Sequence, residues 1–205
     1  MSVFSEKRRQ EVFWPGNYPL QVWPKIRELL GEGDPEAYFQ YVTQTEAIRS
    51  VPSPYFILAD IDGFTGFCEK NRDDPDAVVQ LLTSFFGLAG AQIHLYKGQV
   101  LKYIGDAVFA MAQDEQSARM ITRNLLARYK DHIKENARFG TGLVVMVTKP
   151  DVVLMGFIGG GGAYLDYSYW GDQVNKMFHL SKQDNMVNPD LVNFVNPDGT
   201  VQFWD

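Results

Sequence analysis

Two apolar runs that each lead into an acid constrain this chain more than any other feature. Tyr55-Phe56-Ile57-Leu58-Ala59 runs into Asp60, and Ile61-Asp62-Gly63-Phe64-Thr65 follows. Further on, Lys102-Tyr103-Ile104-Gly105-Asp106 leads into Ala107-Val108. A short apolar run bounded by turn signals reads as a buried strand. Asp60 then ends a strand before a glycine-containing turn into a helix, and Asp106 sits in a Gly-Asp turn between two strands. If those strands are neighbours, both carboxylates reach one cation. Mg²⁺ is commonly held by one or two carboxylates plus substrate phosphate oxygens. Two cations clamping the attacking and leaving oxygens support phosphoryl transfer. Alone, Asp60 reads equally as a helix cap and Asp106 as a turn residue. Only the pair points to a cation.

The pattern around the two acids is regular. Asp73-Asp74-Pro75-Asp76 opens a helix through Val78, Leu81, Leu82, Phe85 and Phe86, and Asp114 caps a second helix to about Lys134. Gly98 to Tyr103 and Ala107 to Ala112 form a hairpin around Ile104-Gly105-Asp106. Strands are expected over Phe139 to Thr148, Val152 to Ile158 and Tyr164 to Trp170, and a helix over Asp172 to Ser181. Leu191 to Val195 and Val201 to Trp204 close with a hairpin around Asn196-Pro197-Asp198-Gly199. The order β-α-β-β-α-β predicts an α+β fold, a ferredoxin-like split βαβ core with an antiparallel sheet and helices on one face. Residues 1–53 read as a partly helical extension whose Trp14, Trp23, Tyr38 and Phe39 pack on the domain or on a second subunit. Its last helix runs to about Ile48, and 54–205 form the main folded domain.

Composition narrows the class. With 205 residues and 45% hydrophobic content the chain can bury one good core. A formal net charge of −6 disfavours nucleic acid and anionic membranes. No run of about 18 apolar residues stands out as a membrane span. Cys68 is the only cysteine, so no intrachain disulfide forms, and a cytoplasmic location is expected. Gly159 to Gly162 lack the Lys-Ser/Thr ending of a phosphate loop.

Three segments carry a resemblance to the class III nucleotidyl cyclase catalytic domain. They are Phe56 to Thr65, Gly98 to Ala107 and, more weakly, Asp166 to Asn175. The resemblance implies a homodimer with two interfacial sites and a nucleoside triphosphate substrate. Asp60, Asp106 and the carbonyl of Ile61 would hold two Mg²⁺ or Mn²⁺ ions, one acidifying the ribose 3′-hydroxyl and one holding the triphosphate. Lys102 and Ser168 would read the base, and Asn175 would orient the ribose or reacting centre. Phe64 and Thr65, which open the helix after Asp60, complete the expected substrate-binding set. A lysine at position 102 resembles adenylate cyclases, because an ammonium donates to adenine N1 whereas guanine presents an N–H there.

The sequence departs from the family in its cations. His179 stands where the family places a catalytic arginine, and Asp198 where it often places a phosphate-contacting lysine. Lys176, Lys182 and Arg123 are the candidate substitutes. The resemblance therefore implies conversion of ATP to cyclic AMP and pyrophosphate. Two alternatives stay open: a pyrimidine cyclase of the kind found in bacterial anti-phage signalling, and a domain that binds nucleotide or a partner without turnover.

Overall fold

The computed structural model describes residues 48–50, 54–151, 153–158, 166–181, 187–189 and 191–204. The expectations for Trp14, Trp23, Tyr38 and Phe39, for the four glycines and for Lys182 lie outside them. Two compact units divide the chain: residues 54–149 with 173–205, and residues 1–53 with 150–172.

The first unit is built on β2 (Tyr55–Asp62), which is apolar on both faces because it is covered on both. It pairs antiparallel with β4 (Ala107–Ala112) on one side and β5 (Gly142–Thr148) on the other. Beyond these lie β3 (Gln99–Ile104) at one edge and β8 (Val192–Val195) and β9 (Val201–Phe203) at the other, in the order β3-β4-β2-β5-β8-β9. The expected α+β split βαβ core is present. One pairing is not antiparallel: β8 runs parallel to β5. Chain direction explains this, since β8 is reached by a long crossover rather than a hairpin.

Three helices belong to one face: the short α1 (Phe64–Lys70), α2 (Pro75–Leu95) and α3 (Glu115–Glu135). Both long helices start where their caps direct. The Asp74 carboxylate accepts from the Ala77 amide at 3.3 Å with Pro75 in the first turn, and Asp114 accepts from the Ser117 amide at 2.7 Å. Leu81, Phe85 and Ile93 of α2 and Ile121, Leu125 and Tyr129 of α3 share one core with Ile57, Ala59 and Ile61 of β2. An 18-residue window of α2 has a mean hydropathy of 1.4, so by length and composition it would pass for a membrane span, contrary to the sequence expectation. Its small residues and scattered polar ones hide this in a search for an unbroken apolar run, and one side of the helix covers the sheet.

The fourth helix, α4 (Asp172–Leu180), corrects the expectation of helices on one face. Its Phe178 ring meets Phe109 edge-on at 5.1 Å, and Phe109 stacks on Phe56 at 5.6 Å. These aromatics alternate with the core-facing residues of β2 and β4, so α4 covers the opposite face. The full burial of Phe56, Leu58, Met111 and Met146 already called for such a cover.

The second unit contains a three-stranded antiparallel sheet in which β6 (Val153–Ile158) lies between β1 (Ile48–Ser50) and β7 (Asp166–Trp170). Ile48 is paired with Met155, so it opens a strand rather than ending a helix. Its β-branched side chain suits that role.

Candidate active site

Asp60 and Asp106 are brought together by strand register. Asp60 lies across from Ala107 of β4 on one side and Val144 of β5 on the other. Asp106 immediately precedes Ala107, in the two-residue turn between β3 and β4. Gly105 takes φ +60 at the first central position of that turn, and Asp106 does not share the positive φ. That asymmetry suits glycine first and aspartate second. Directly paired Cα atoms are about 4.5–5.5 Å apart, so the backbones of Asp60 and Asp106 lie near one another at one end of the sheet. Gly63, at φ 78, turns the chain out of β2 into α1 just beyond.

Both carboxylates are half-buried. Burial pushes the Asp106 carboxyl above its ordinary range, and a hydrogen bond from its own backbone amide opposes the shift in part. Behind them, on the helix face, the Tyr129 hydroxyl is bonded to Thr141 Oγ1 at 2.8 Å. Its pKa is raised to about 12, first by burial and then by the nearby charges of Asp106 and Asp62. Among the described residues no cluster of three or more His, Cys, Asp or Glu converges on one point. Two carboxylates fit a cation whose remaining ligands are backbone carbonyl, water and phosphate oxygens, and do not fit a closed all-protein metal cage.

Lys102 shares the Asp60 face because β3 carries a bulge. The β3–β4 register runs Val100↔Ala110 and then Lys102↔Phe109, leaving Leu101 as an extra residue. Ala110 faces the helix core, whereas Phe109 faces α4. The bulge moves Lys102 onto the Phe109 side, because one added residue flips every side chain that follows it. Lys102, Phe109 and Leu58 form one cross-strand row, and Ile104, Ala107 and Asp60 form the next. Lys102 and Asp60 are thus separated by two strand spacings and one two-residue step, about 12 Å between Cα atoms. No residue pattern marks this bulge in advance, since Leu101 continues the apolar run.

The other expected residues distribute as follows. Ile61 has a buried side chain on the helix face and offers only its backbone carbonyl. Phe64 packs against the helix-face core, while Thr65 is exposed in the first turn of α1. Asn175 and His179 are both exposed on α4, one turn apart, while Val174, Met177 and Leu180 are buried. Ser168 pairs with Gly156 in the second unit. Asp198 is engaged at the β8–β9 turn. Its carboxylate accepts from the Thr200 amide at 2.8 Å and hydroxyl at 2.7 Å, and this holds its pKa below the ordinary carboxylate range.

The candidate substitute cations separate clearly. Lys176 of α4 reaches the same hairpin and donates from Nζ to the Pro197 carbonyl at 3.0 Å. Arg123 is exposed on the outer side of α3, on the sheet face opposite Asp60, and cannot serve a site on the Asp60 face.

No family model and no curated protein matches the sequence. Solved structures do match. The adenylyl cyclase CyaB from P. aeruginosa aligns with a TM-score of 0.62 at 18% identity over 74% of this chain and 79% of that one. The guanylyl cyclase Cya2 aligns with a TM-score of 0.59 at 19% identity over 73% and 76%. A class III adenylyl cyclase-like ATP-binding protein from Pseudomonas aeruginosa aligns with a TM-score of 0.59 at 19% identity, over 75% of this chain and 35% of that one. At such identities the fold is what is shared: the chain has the class III nucleotidyl cyclase fold.

Proposed function

We propose that this protein is a nucleotidyl cyclase that converts a nucleoside triphosphate, with ATP the favoured substrate, to the 3′,5′-cyclic nucleotide and pyrophosphate. The observation that carries this reading is the register that sets Asp106 beside Asp60, on a fold shared with adenylyl and guanylyl cyclases. In the reaction the ribose 3′-oxygen bonds to Pα as the bond from Pα to the pyrophosphate oxygen breaks, and the hydroxyl proton is released. Asp60, Asp106 and the Ile61 carbonyl would hold two Mg²⁺ or Mn²⁺ ions, which when bound supply charge neutralisation and acidify the 3′-hydroxyl.

Each remaining residue has a role that follows from its chemistry. Lys102 donates to the N1 acceptor of adenine, and the Ser168 hydroxyl has the chemistry to accept from the exocyclic amine. Asn175, on the exposed side of α4, orients the ribose. His179, one turn on, stands in for the cation that stabilises charge on the transferring phosphoryl group. Thr65 and the backbone at Phe64 receive the triphosphate. Within one chain Lys102 lies about 12 Å from Asp60 by strand spacing, so a homodimer is inferred, in which one subunit's carboxylates meet the partner's base-reading residues.

A second reading is favoured by Asp198. An acid already bonded to Thr200 occupies the last hairpin, so a phosphate there finds no fixed side-chain cation from the turn itself. A domain of this kind would bind nucleotide without turning it over. The two readings are separated by incubating the protein with Mn²⁺ and each of ATP, GTP, CTP and UTP and identifying products by mass. A cyclic product supports the cyclase; saturable nucleotide binding with no cyclic product from any of the four leaves the second reading.

A further inference from the structure

The outer side of α3 carries a cationic stripe on an otherwise acidic protein. Arg119, Arg123, Lys130 and Lys134 fall within about 60° of one another at 100° per helical residue, and span about 22 Å of helix. The acids Asp131 and Glu135 project well off that stripe, and Glu115, at its start, is held by Arg119 at 2.8 Å. Three cavities lie end to end along it. One of about 370 Å³ runs from Arg119 to Arg123. The next, about 280 Å³, runs from Arg123 to Lys130 over Leu126, Leu191, Val192 and Trp204. The third, about 310 Å³, runs from Lys130 to Lys134 beside Ile133 and Pro189. Arg123 lines both of the first two and Lys130 both of the last two, so the cavities adjoin as a broken groove along the helix, rimmed by cations and floored by aliphatic side chains in the second and third. Among the described residues Glu115 is the only acid that lines it.

From this groove we infer a docking site for an extended segment of a partner protein in which acidic residues alternate with aliphatic ones. Spacing supports it. Arg119 to Arg123 and Lys130 to Lys134 are each about 6 Å along the axis, close to the two-residue repeat of an extended chain; Arg123 to Lys130 is about 10 Å, so each cation pair takes its own two acids, and the groove holds about seven residues. Alternation puts carboxylates on the rim while aliphatic side chains cover Leu126 and Val192, a pairing of main-chain reach with charge recognition. A single-stranded nucleic acid fits less well. The Trp204 ring already carries Tyr55, stacked at 5.8 Å, and the Arg119 guanidinium at 4.2 Å, which leaves no platform for a base. A net charge of −6 also repels a chain of phosphates more than a peptide with three or four acids.

The test is fluorescence anisotropy of the full chain with a fluorescein-labelled peptide of alternating Glu and Leu. A peptide with Lys for Glu, a labelled dT10 oligonucleotide and phosphatidylserine vesicles are run beside it. Saturable binding of the acidic peptide is expected, weakening with salt, and at least tenfold weaker in Arg123→Glu/Lys130→Glu. Single Lys134→Glu, at the exposed end of the groove, should weaken it severalfold with an unchanged melting temperature. Equal binding by these variants, no saturable binding, or tighter binding of the oligonucleotide or vesicles overturns the assignment.

Discussion

Asp60 lies directly across the β2–β4 ladder from Ala107, the residue that follows Asp106. A central strand and a hairpin turn thus deliver one carboxylate each to the same end of the sheet. Removing either should abolish the chemistry without unfolding the protein. Asp60→Ala and Asp106→Ala are each expected to lower cyclase turnover at least about a hundredfold, the scale on which lost transition-state charge stabilisation is felt. Circular dichroism should stay unchanged. Isothermal titration with Mn²⁺ and a non-hydrolysable nucleotide checks the metal role, and unchanged metal affinity in both variants would refute it.

The half-burial of Asp106 makes a prediction about pH. Its carboxyl is raised in the folded state, so the fold binds a proton more tightly than the unfolded chain does. Its contribution is therefore fully present below the unfolded pKa and is lost as pH rises through the folded value. Without metal, Asp106→Asn should melt higher than wild type at neutral pH and converge with it in acid. With Mn²⁺ the order should reverse, because only the aspartate gains a ligand. Thermal melts at several pH values, with and without Mn²⁺, read both signs.

Lys102 owes its face to the extra residue at Leu101, so the proposed base reading depends on a local irregularity of an edge strand. Lys102→Glu should lower kcat/KM for ATP about tenfold or more, the scale of one lost charged hydrogen bond. GTP use should be retained or improved, since an acid can accept from the guanine N–H. An unchanged ratio between the two substrates would remove Lys102 from the base pocket.

The element order, both long helices and the hairpin that carries Asp106 were legible because each rests on local signals. Apolar runs mark the strands, Asp74 and Asp114 mark helix starts, and Gly105-Asp106 marks a hairpin. What was not legible depends on partners distant in sequence. Leu101 looks like any strand residue until its opposite number is known. The placement of α4 on the second face rests on Phe178 meeting Phe109. Lys176 reaches the last hairpin only because β8 crosses over to lie parallel to β5.

His179 is exposed on α4 one turn after Asn175, so a longer cation fits there without repacking. His179→Arg should raise kcat with little change in melting temperature, because a fixed guanidinium can stabilise charge on the transferring phosphoryl group. Steady-state kinetics and thermal melts of both proteins read this, and an unchanged kcat would exclude His179 from the transition state.

Asn193 anchors the crossover strand. Its buried side-chain amide donates to the carbonyls of Val145 (3.1 Å), Asn188 (3.0 Å) and Leu191 (3.0 Å), and its oxygen accepts from the Asn188 amide at 3.0 Å. Asn193→Ala orphans several buried groups and should cost about 2–4 kcal/mol. For a chain of this size that is a fall of roughly 5–15 °C in Tm. A drop of under about 2 °C would mean water replaces the amide.

The most direct measurement is a time course of wild type and Asp106→Ala with ATP and Mn²⁺, with an EDTA control, resolved by mass spectrometry. Cyclic AMP and pyrophosphate accumulating together in the wild type alone, and stopping on EDTA addition, is the expected result. Bound ATP recovered intact from the wild type, or product formation equal in Asp106→Ala, would contradict a cyclase built on this aspartate pair.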